Sequence, residues 1–227
     1  MEGRLRGGGG DSPDANRIVG YALKADIKSY FQSVDQGVLL SIVRRRIPDE
    51  DALWLIRVIL SNQKTAVPGK GMPLGNLTSQ FLANVYLGEL DQFVKHELKA
   101  RYYIRYVDDF VILSRSRSEL AQHRKAIELF LSERLKLSLH PDKTKIIPLR
   151  SGLTLLGLRV FYHFRLLKMS NQTRIKKRMA RFKRKLGRGE MTREHIRFSF
   201  AGWEGYAKMS DSYKLRMALR KEIEDMI

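Results

Sequence analysis

Tyr102-Tyr103-Ile104-Arg105-Tyr106-Val107-Asp108-Asp109-Phe110-Val111-Ile112-Leu113 is an aromatic and β-branched run interrupted by two adjacent aspartates. Its flanks favour strands, so the segment predicts a hairpin with Asp108 and Asp109 at the bend. Two neighbouring carboxylates repel, and each is costly to bury alone. A divalent cation relieves both penalties. A solvated Asp-Asp turn satisfies them too, and the tetrapeptide alone does not separate the two readings.

A third carboxylate lies upstream. Ile18 to Ala25 is mostly apolar and predicts a strand, with Asp26 at its C-terminal end. Strand ends are where α/β folds present catalytic groups, although an acid here also suits a cap for a helix or turn starting near Ser29. Three carboxylates from two strand ends could hold two Mg²⁺ ions roughly 4 Å apart, one activating an attacking hydroxyl and the other steadying a leaving oxygen. Mg²⁺ prefers one or two carboxylates plus substrate phosphates. That is the chemistry of nucleotidyl transfer.

Five segments, taken in order, resemble the palm of a reverse transcriptase. Ala25-Asp26-Ile27-Lys28-Ser29-Tyr30-Phe31 looks like the first catalytic motif. Gly71-Met72-Pro73-Leu74-Gly75-Asn76-Leu77-Thr78-Ser79-Gln80 resembles the nucleotide loop and following helix. Tyr106-Val107-Asp108-Asp109 is similar to the metal-binding hairpin, His140-Pro141-Asp142-Lys143-Thr144-Lys145 to the lysine motif, and Leu155-Leu156-Gly157-Leu158 to the primer-grip hairpin. The resemblance implies an α+β fold: a polymerase palm, with an antiparallel sheet packed on helices, followed by a small helical thumb.

It also implies roles. Asp26, Ile27, Asp108 and Asp109 would form the metal site for two Mg²⁺ ions, with Mn²⁺ as a substitute. Lys143 would stand near the pyrophosphate leaving group, where it could donate a proton. Phe31, five residues after Asp26, would underlie the sugar and exclude a 2′-hydroxyl; without the resemblance it reads equally as a core residue. Gly71, Pro73, Leu74, Gly75 and Ser79 would contact the nucleotide, the glycines letting backbone approach a ligand closely. Asn76, Thr78 and Ser79 also suit a helix start. Leu156 and Gly157 would grip the primer. The partners implied are an RNA template with a DNA or RNA primer, and dNTPs.

Two departures matter. Leu74-Gly75 and Ser79-Gln80 stand where most bacterial members carry Gln-Gly and Ser-Pro, a variant that resembles diversity-generating retroelement enzymes. The family also has a fingers region ahead of the first catalytic strand. Arg4, Arg6 and Arg17 do not form a recognisable fingers motif. The expectation is a palm and thumb without fingers, partnered by a fingers-bearing fragment or accessory protein.

Composition agrees with a polyanionic partner. The chain has 227 residues, 43 Lys+Arg against 24 Asp+Glu, a net charge of +19 and no cysteine. Nucleic acid is the default partner of such an excess. Disulfides and thiolate metal sites are excluded. No apolar run reaches the roughly 18 residues of a membrane span, and no signal-peptide core precedes residue 17, so a cytoplasmic location is expected.

The chain divides into a Gly-rich leader (1–16), a palm (17–169) and a basic helical thumb-like region (170–227). Helices are predicted from Asp35 to about Arg46, and from Pro48-Asp49 with Leu53, Leu55, Ile56, Ile59 and Leu60 inward. Others run from Leu77 to Leu98 and from Ser118 to Leu137. Leu153–Tyr162 and Arg165–Met169 predict a second hairpin. Arg174 to Arg188 carries nine cations and no acid; Lys176, Lys177, Arg181 and Arg184 are taken as its nucleic-acid contacts. The last segment, from Phe198, predicts helix anchored by Trp203, Tyr206 and Tyr213. The competing functions are an RNA-directed DNA polymerase, an inactive or partner-dependent nucleic-acid-binding fragment, and a palm-class polymerase copying DNA.

Overall fold

The computed structural model describes residues 19–62, 67–73 and 75–225. The leader, Arg17 and Leu74 lie outside the described residues. Two compact units are present, Val19–Pro148 and the described residues from Leu149 onward.

The first unit runs β1 (Tyr21–Asp26), α1 (Tyr30–Ser33), α2 (Gln36–Arg44), α3 (Glu50–Ser61), α4 (Leu77–Gln92), β2 (Tyr102–Tyr106), β3 (Asp109–Ser114), α5 (Arg117–Arg134) and β4 (Lys145–Pro148). The strands form one sheet in the order β2-β3-β1-β4, and every neighbouring pair is antiparallel. Strand alternation assigns the faces. Leu23, Ala25 and Ile27 bury into a core shared with Phe110, Ile112, Leu82, Tyr86, Leu90, Ile127 and Leu131. Lys24 and Asp26 therefore belong to the opposite face. The tyrosines inside this core are satisfied: the Tyr30 hydroxyl donates to the Ala83 carbonyl at 2.7 Å, and Tyr86 to Leu135 at 2.6 Å.

Helix starts follow their capping residues. Asp35 accepts from the Val38 amide at 3.0 Å and Asp49 from Ala52 at 2.7 Å, caps worth about 1 kcal/mol each. The predicted Leu77–Leu98 helix changes character at its end, where Phe93–Glu97 is a π-helical turn. Leu77 and Phe81 are 82% and 63% exposed although both are apolar. They are i, i+4 to each other but off the stripe of Leu82, Tyr86 and Leu90, so they face away from the core. Leu55, expected inward, is corrected. It lies about 200° around the helix from buried Leu53 and is 52% exposed.

The second unit opens with a three-stranded antiparallel sheet rather than a plain hairpin: β5 (Leu153–Leu155), β6 (Leu158–Val160) and β7 (Arg165–Leu167). Then come α6 (Met169–Gly187), α7 (Arg193–Ala207) and α8 (Tyr213–Glu224). Ile175, Met179 and Phe182 of α6 bury against Ile196, Phe200, Leu219 and Ile223. The buried Glu204 carboxylate accepts from Arg220 at 2.8 and 2.9 Å. Trp203 and Tyr206 pack inward as expected. Tyr213 does not: it opens α8 out of phase with Leu215, Leu219 and Ile223 and is 66% exposed. Among the described residues no helix is long and apolar enough to cross a membrane.

Candidate active site

The register of β1 on β3 sets Asp26 directly opposite Asp109. The hairpin places Asp108 next to them, because Tyr106 pairs with Asp109 and leaves only Val107 and Asp108 in the turn. A two-residue hairpin loop needs positive φ, usually supplied by glycine. Here Val107 takes it, at φ 55°. A β-branched residue in that region is strained, by about 1–3 kcal/mol. The Ile27 amide donates to the Asp108 carbonyl at 3.2 Å, and the His140 amide to the Asp26 carbonyl at 2.7 Å. The backbones of three of the five expected motifs, those of Asp26, Asp108 and His140, are thus tied together at one sheet end.

Lysines answer the carboxylates. Lys143 Nζ donates to both Asp26 oxygens at 3.0 Å, and Lys24 Nζ stands 3.9 Å from Asp109 Oδ1. Asp26 is 7% exposed. Burial pushes the Asp108 carboxyl above the ordinary range; repulsion from Asp26 and Asp109 adds to this, while its own backbone amide and Lys143 oppose it. The hydrogen bond to Asp26 holds the Lys143 ammonium above its ordinary value.

These residues suit a hard divalent cation. Their donors are oxygens, their charges crowd one another, and Lys143 marks where positive charge is drawn. Among the described residues no three His, Asp or Glu side chains stand together as a ready cage. Mg²⁺ characteristically completes its shell with substrate phosphates and water instead of an all-protein cage.

The loop expected to meet the nucleotide is pinned close to the first motif. The Gly71 amide donates to the Val34 carbonyl at 2.7 Å and the Met72 amide to the Phe31 carbonyl at 2.8 Å. Gly71 and Gly75 both have φ 87°, a conformation that favours glycine. Phe31 is partly buried against the main core, its ring 5.4 Å from that of Tyr30. Pro73 is partly buried as well. Asn76 is the N-cap of α4 but makes no side-chain capping bond. Ser79 is 1% exposed, and its hydroxyl has no hydrogen-bond partner among the described residues.

In the second unit Leu156 and Gly157 form the β5–β6 turn, with φ 48° and 78°. The Tyr206 hydroxyl donates to the Leu156 carbonyl at 3.0 Å, and Asn171 Nδ2 to the Gly157 carbonyl at 3.2 Å. A Cβ on Gly157 would collide with the Tyr206 hydroxyl and sit 2.7 Å from Asn171 Nδ2. Lys176, Lys177, Arg181 and Arg184 are all exposed on α6; Lys177, Arg181 and Arg184 lie opposite its buried stripe and Lys176 flanks it.

Sequence reasoning missed Lys24, Asn171, the bond from the Tyr206 hydroxyl to the Leu156 carbonyl, and the group around Arg105. Arg105 Nε and Nη2 donate to Asp91 Oδ1 and Oδ2 at 2.8 and 2.6 Å, while Nη1 donates to the Val107 carbonyl at 3.0 Å and to Asn84 Oδ1 at 3.2 Å. The one local signal was alternation: Arg105 shares an inward face with Tyr103, while Tyr102, Ile104 and Tyr106 point outward.

Residues 14–160 match the family model described as reverse transcriptase (RNA-dependent DNA polymerase). Protein YkfC of Escherichia coli (strain K12) is 28% identical over 177 residues, covering 62% of this chain and 46% of YkfC. The group II intron-encoded protein LtrA of Lactococcus lactis subsp. cremoris is 24% identical over 191 residues, covering 55% of this chain and 32% of LtrA. The chain thus spans less than half the length of these curated relatives. Among solved structures, an apo telomerase from Candida tropicalis, truncated from its C-terminal domain, aligns with a TM-score of 0.49 at 14% identity, covering 69% of this chain and 35% of that one. The family model takes in well over half of the sequence, and the chain belongs to the reverse transcriptase (RNA-dependent DNA polymerase) family.

Proposed function

We propose that this chain supplies the palm and thumb of an RNA-directed DNA polymerase that adds dNTPs to a primer 3′-hydroxyl on an RNA template. The palm is assigned to 17–169 and the thumb to 170–227. The observation that carries the reading is Asp26 paired opposite Asp109, with Asp108 in the adjoining turn. Asp26, Asp108, Asp109 and the Ile27 carbonyl are the proposed ligands of Mg²⁺, or of Mn²⁺ in its place. Two such ions would acidify the primer hydroxyl and stabilise the leaving oxygen.

The remaining roles belong to the chain itself. Lys143 is ion-paired with Asp26 and is assigned to the leaving pyrophosphate, to which an ammonium can donate a hydrogen bond or a proton. Phe31 is assigned to the floor under the sugar. Gly71, Pro73, Leu74, Gly75 and Ser79 are assigned to the nucleotide, the Leu156-Gly157 turn to the primer end, and Lys176, Lys177, Arg181 and Arg184 to backbone phosphates. Leu74 carries a finer reading, toward the diversity-generating retroelement type: an aliphatic side chain has no amide to hydrogen-bond near the incoming base, so base selection loosens.

The test is dNTP incorporation by the full chain with Mg²⁺, on matched primed RNA and primed DNA. Preference for RNA supports the proposal, and preference for DNA makes this a DNA-copying palm polymerase. RNA binding without incorporation, also in the presence of an added fingers-bearing partner, makes it a nucleic-acid-binding module.

A further inference from the structure

The Arg105 side chain is 10% exposed and its guanidinium is divided between two tasks. One edge closes a bidentate pair with Asp91 of α4, whose Oδ1 also accepts from the Tyr103 hydroxyl at 2.7 Å. The remaining nitrogen reaches the Val107 carbonyl at 3.0 Å and Asn84 Oδ1 at 3.2 Å. Val107 is the strained turn residue at φ 55°, and Asp108 is bonded to it.

We infer that Arg105 is a positioning residue, clamping the Val107 carbonyl to α4 and thereby setting where Asp108 stands relative to Asp26. The inference rests on the reading of Asp26 and Asp108 as the reaction centre. An ion pair serving only to hold β2 on α4 would be complete with Asp91. The bonds from Nη1 go beyond it, and the one to Val107 restrains a conformation that survives only when its surroundings over-determine it. The Asp91 charge and Asn84 fix the guanidinium plane, so the direction of the bond to Val107 is fixed with it. Lysine keeps the charge opposite Asp91 but lacks the planar fork needed to hold Asp91 and Val107 together.

The experiment uses the full chain carrying Arg105→Lys, with Tyr103→Phe as the companion that removes a different bond to Asp91. Amide hydrogen exchange at residues 107–109 is expected to quicken by about tenfold or more in Arg105→Lys, while Phe110 to Ile112 in β3 and the α4 amides stay within about twofold. On primed RNA, kcat is expected to fall by about 10- to 100-fold with the dNTP KM within about twofold. Tyr103→Phe is expected to leave both readouts near wild type. Unchanged exchange at the turn, or an equal rise throughout β2, β3 and α4, overturns the clamp. So does a loosened turn with unchanged kcat. Should Arg105→Lys fail to fold, Asn84→Ala carries the same exchange measurement, and an unaltered turn there overturns the clamp. A wild-type chain that makes no DNA sinks the proposed function, while the exchange pattern still decides the role of Arg105.

Discussion

Lys143 Nζ sits 3.0 Å from both oxygens of Asp26, a residue 117 positions away in sequence. The ammonium holds the place of a cation at the most buried of the three carboxylates. The Lys143 value lies above its ordinary 10.5, chiefly through the hydrogen bond to Asp26. A base with a raised folded-state value contributes stability that is present below its unfolded value and lost as pH rises through the folded one. Lys143→Met is therefore expected to lower the melting temperature at neutral pH, modestly because the side chain is 56% exposed. The gap should close in the alkaline range above 10.5. A gap that persists there would assign the loss to packing.

Asp108 has the opposite sign. Its value is raised above the ordinary 3.8, by burial first and by Asp26 and Asp109 next. A carboxyl raised on folding destabilises the folded state once ionised, and the penalty fades as pH falls through the raised value. Asp108→Asn is expected to raise the melting temperature by about 2–4 °C per kcal/mol relieved, at neutral pH in the presence of a chelator. No gain is expected below about pH 3, where the carboxyl is protonated in both states. Polymerisation should be lost in the same variant. A stability loss at neutral pH would contradict the crowding of these carboxylates.

The hairpin was legible because aromatic and β-branched flanks and paired acids are local signals, and the Asp35 and Asp49 caps were legible for the same reason. The exposure of Leu77, Phe81, Leu55 and Tyr213 was not. Hydrophobicity marks which residues can form a buried stripe, while the phase of that stripe is set by what the helix packs against. Arg105 was equally hidden. Its partners Asn84 and Asp91 lie in a different element, and no spacing rule joins them to Val107. The carboxylate pairing across β1 and β3 came from the family resemblance, since charge alone does not bring residues so far apart in sequence together.

The Leu156-Gly157 turn offers a test of local packing. Gly157→Ala adds a Cβ that meets the Tyr206 hydroxyl and Asn171 Nδ2, at φ 78°. A destabilisation of about 1–3 kcal/mol is expected from strain and overpacking, read as a lower denaturation midpoint. Tyr206→Phe in the same background should recover part of it. Full tolerance of alanine would mean that the turn is not held by these two side chains.

Phe31→Ala is expected to raise ribonucleotide use relative to dNTP, because a smaller side chain at the proposed floor under the sugar would admit a 2′-hydroxyl. The comparison is the ratio of kcat/KM values for the two substrates. An unaltered ratio in an active protein would leave Phe31 as a member of the core it partly joins.

Replacing Lys176, Lys177, Arg181 and Arg184 by Gln should flatten the plot of log K against log salt by roughly three units, at about 0.7 to 0.9 for each phosphate no longer neutralised. The change should be similar across RNA sequences, because phosphates carry no base information. An unchanged slope would make this face of α6 a solvated surface.

If Asp26, Asp108 and Asp109 are the reaction centre of a polymerase, primer extension on RNA depends on each of them. With Mg²⁺ and dNTPs the wild-type chain, supplied if necessary with a fingers-bearing partner, is expected to lengthen the primer, and Asp26→Asn is expected to bind the same primed RNA without extending it. Extension by Asp26→Asn at close to the wild-type rate would contradict that assignment.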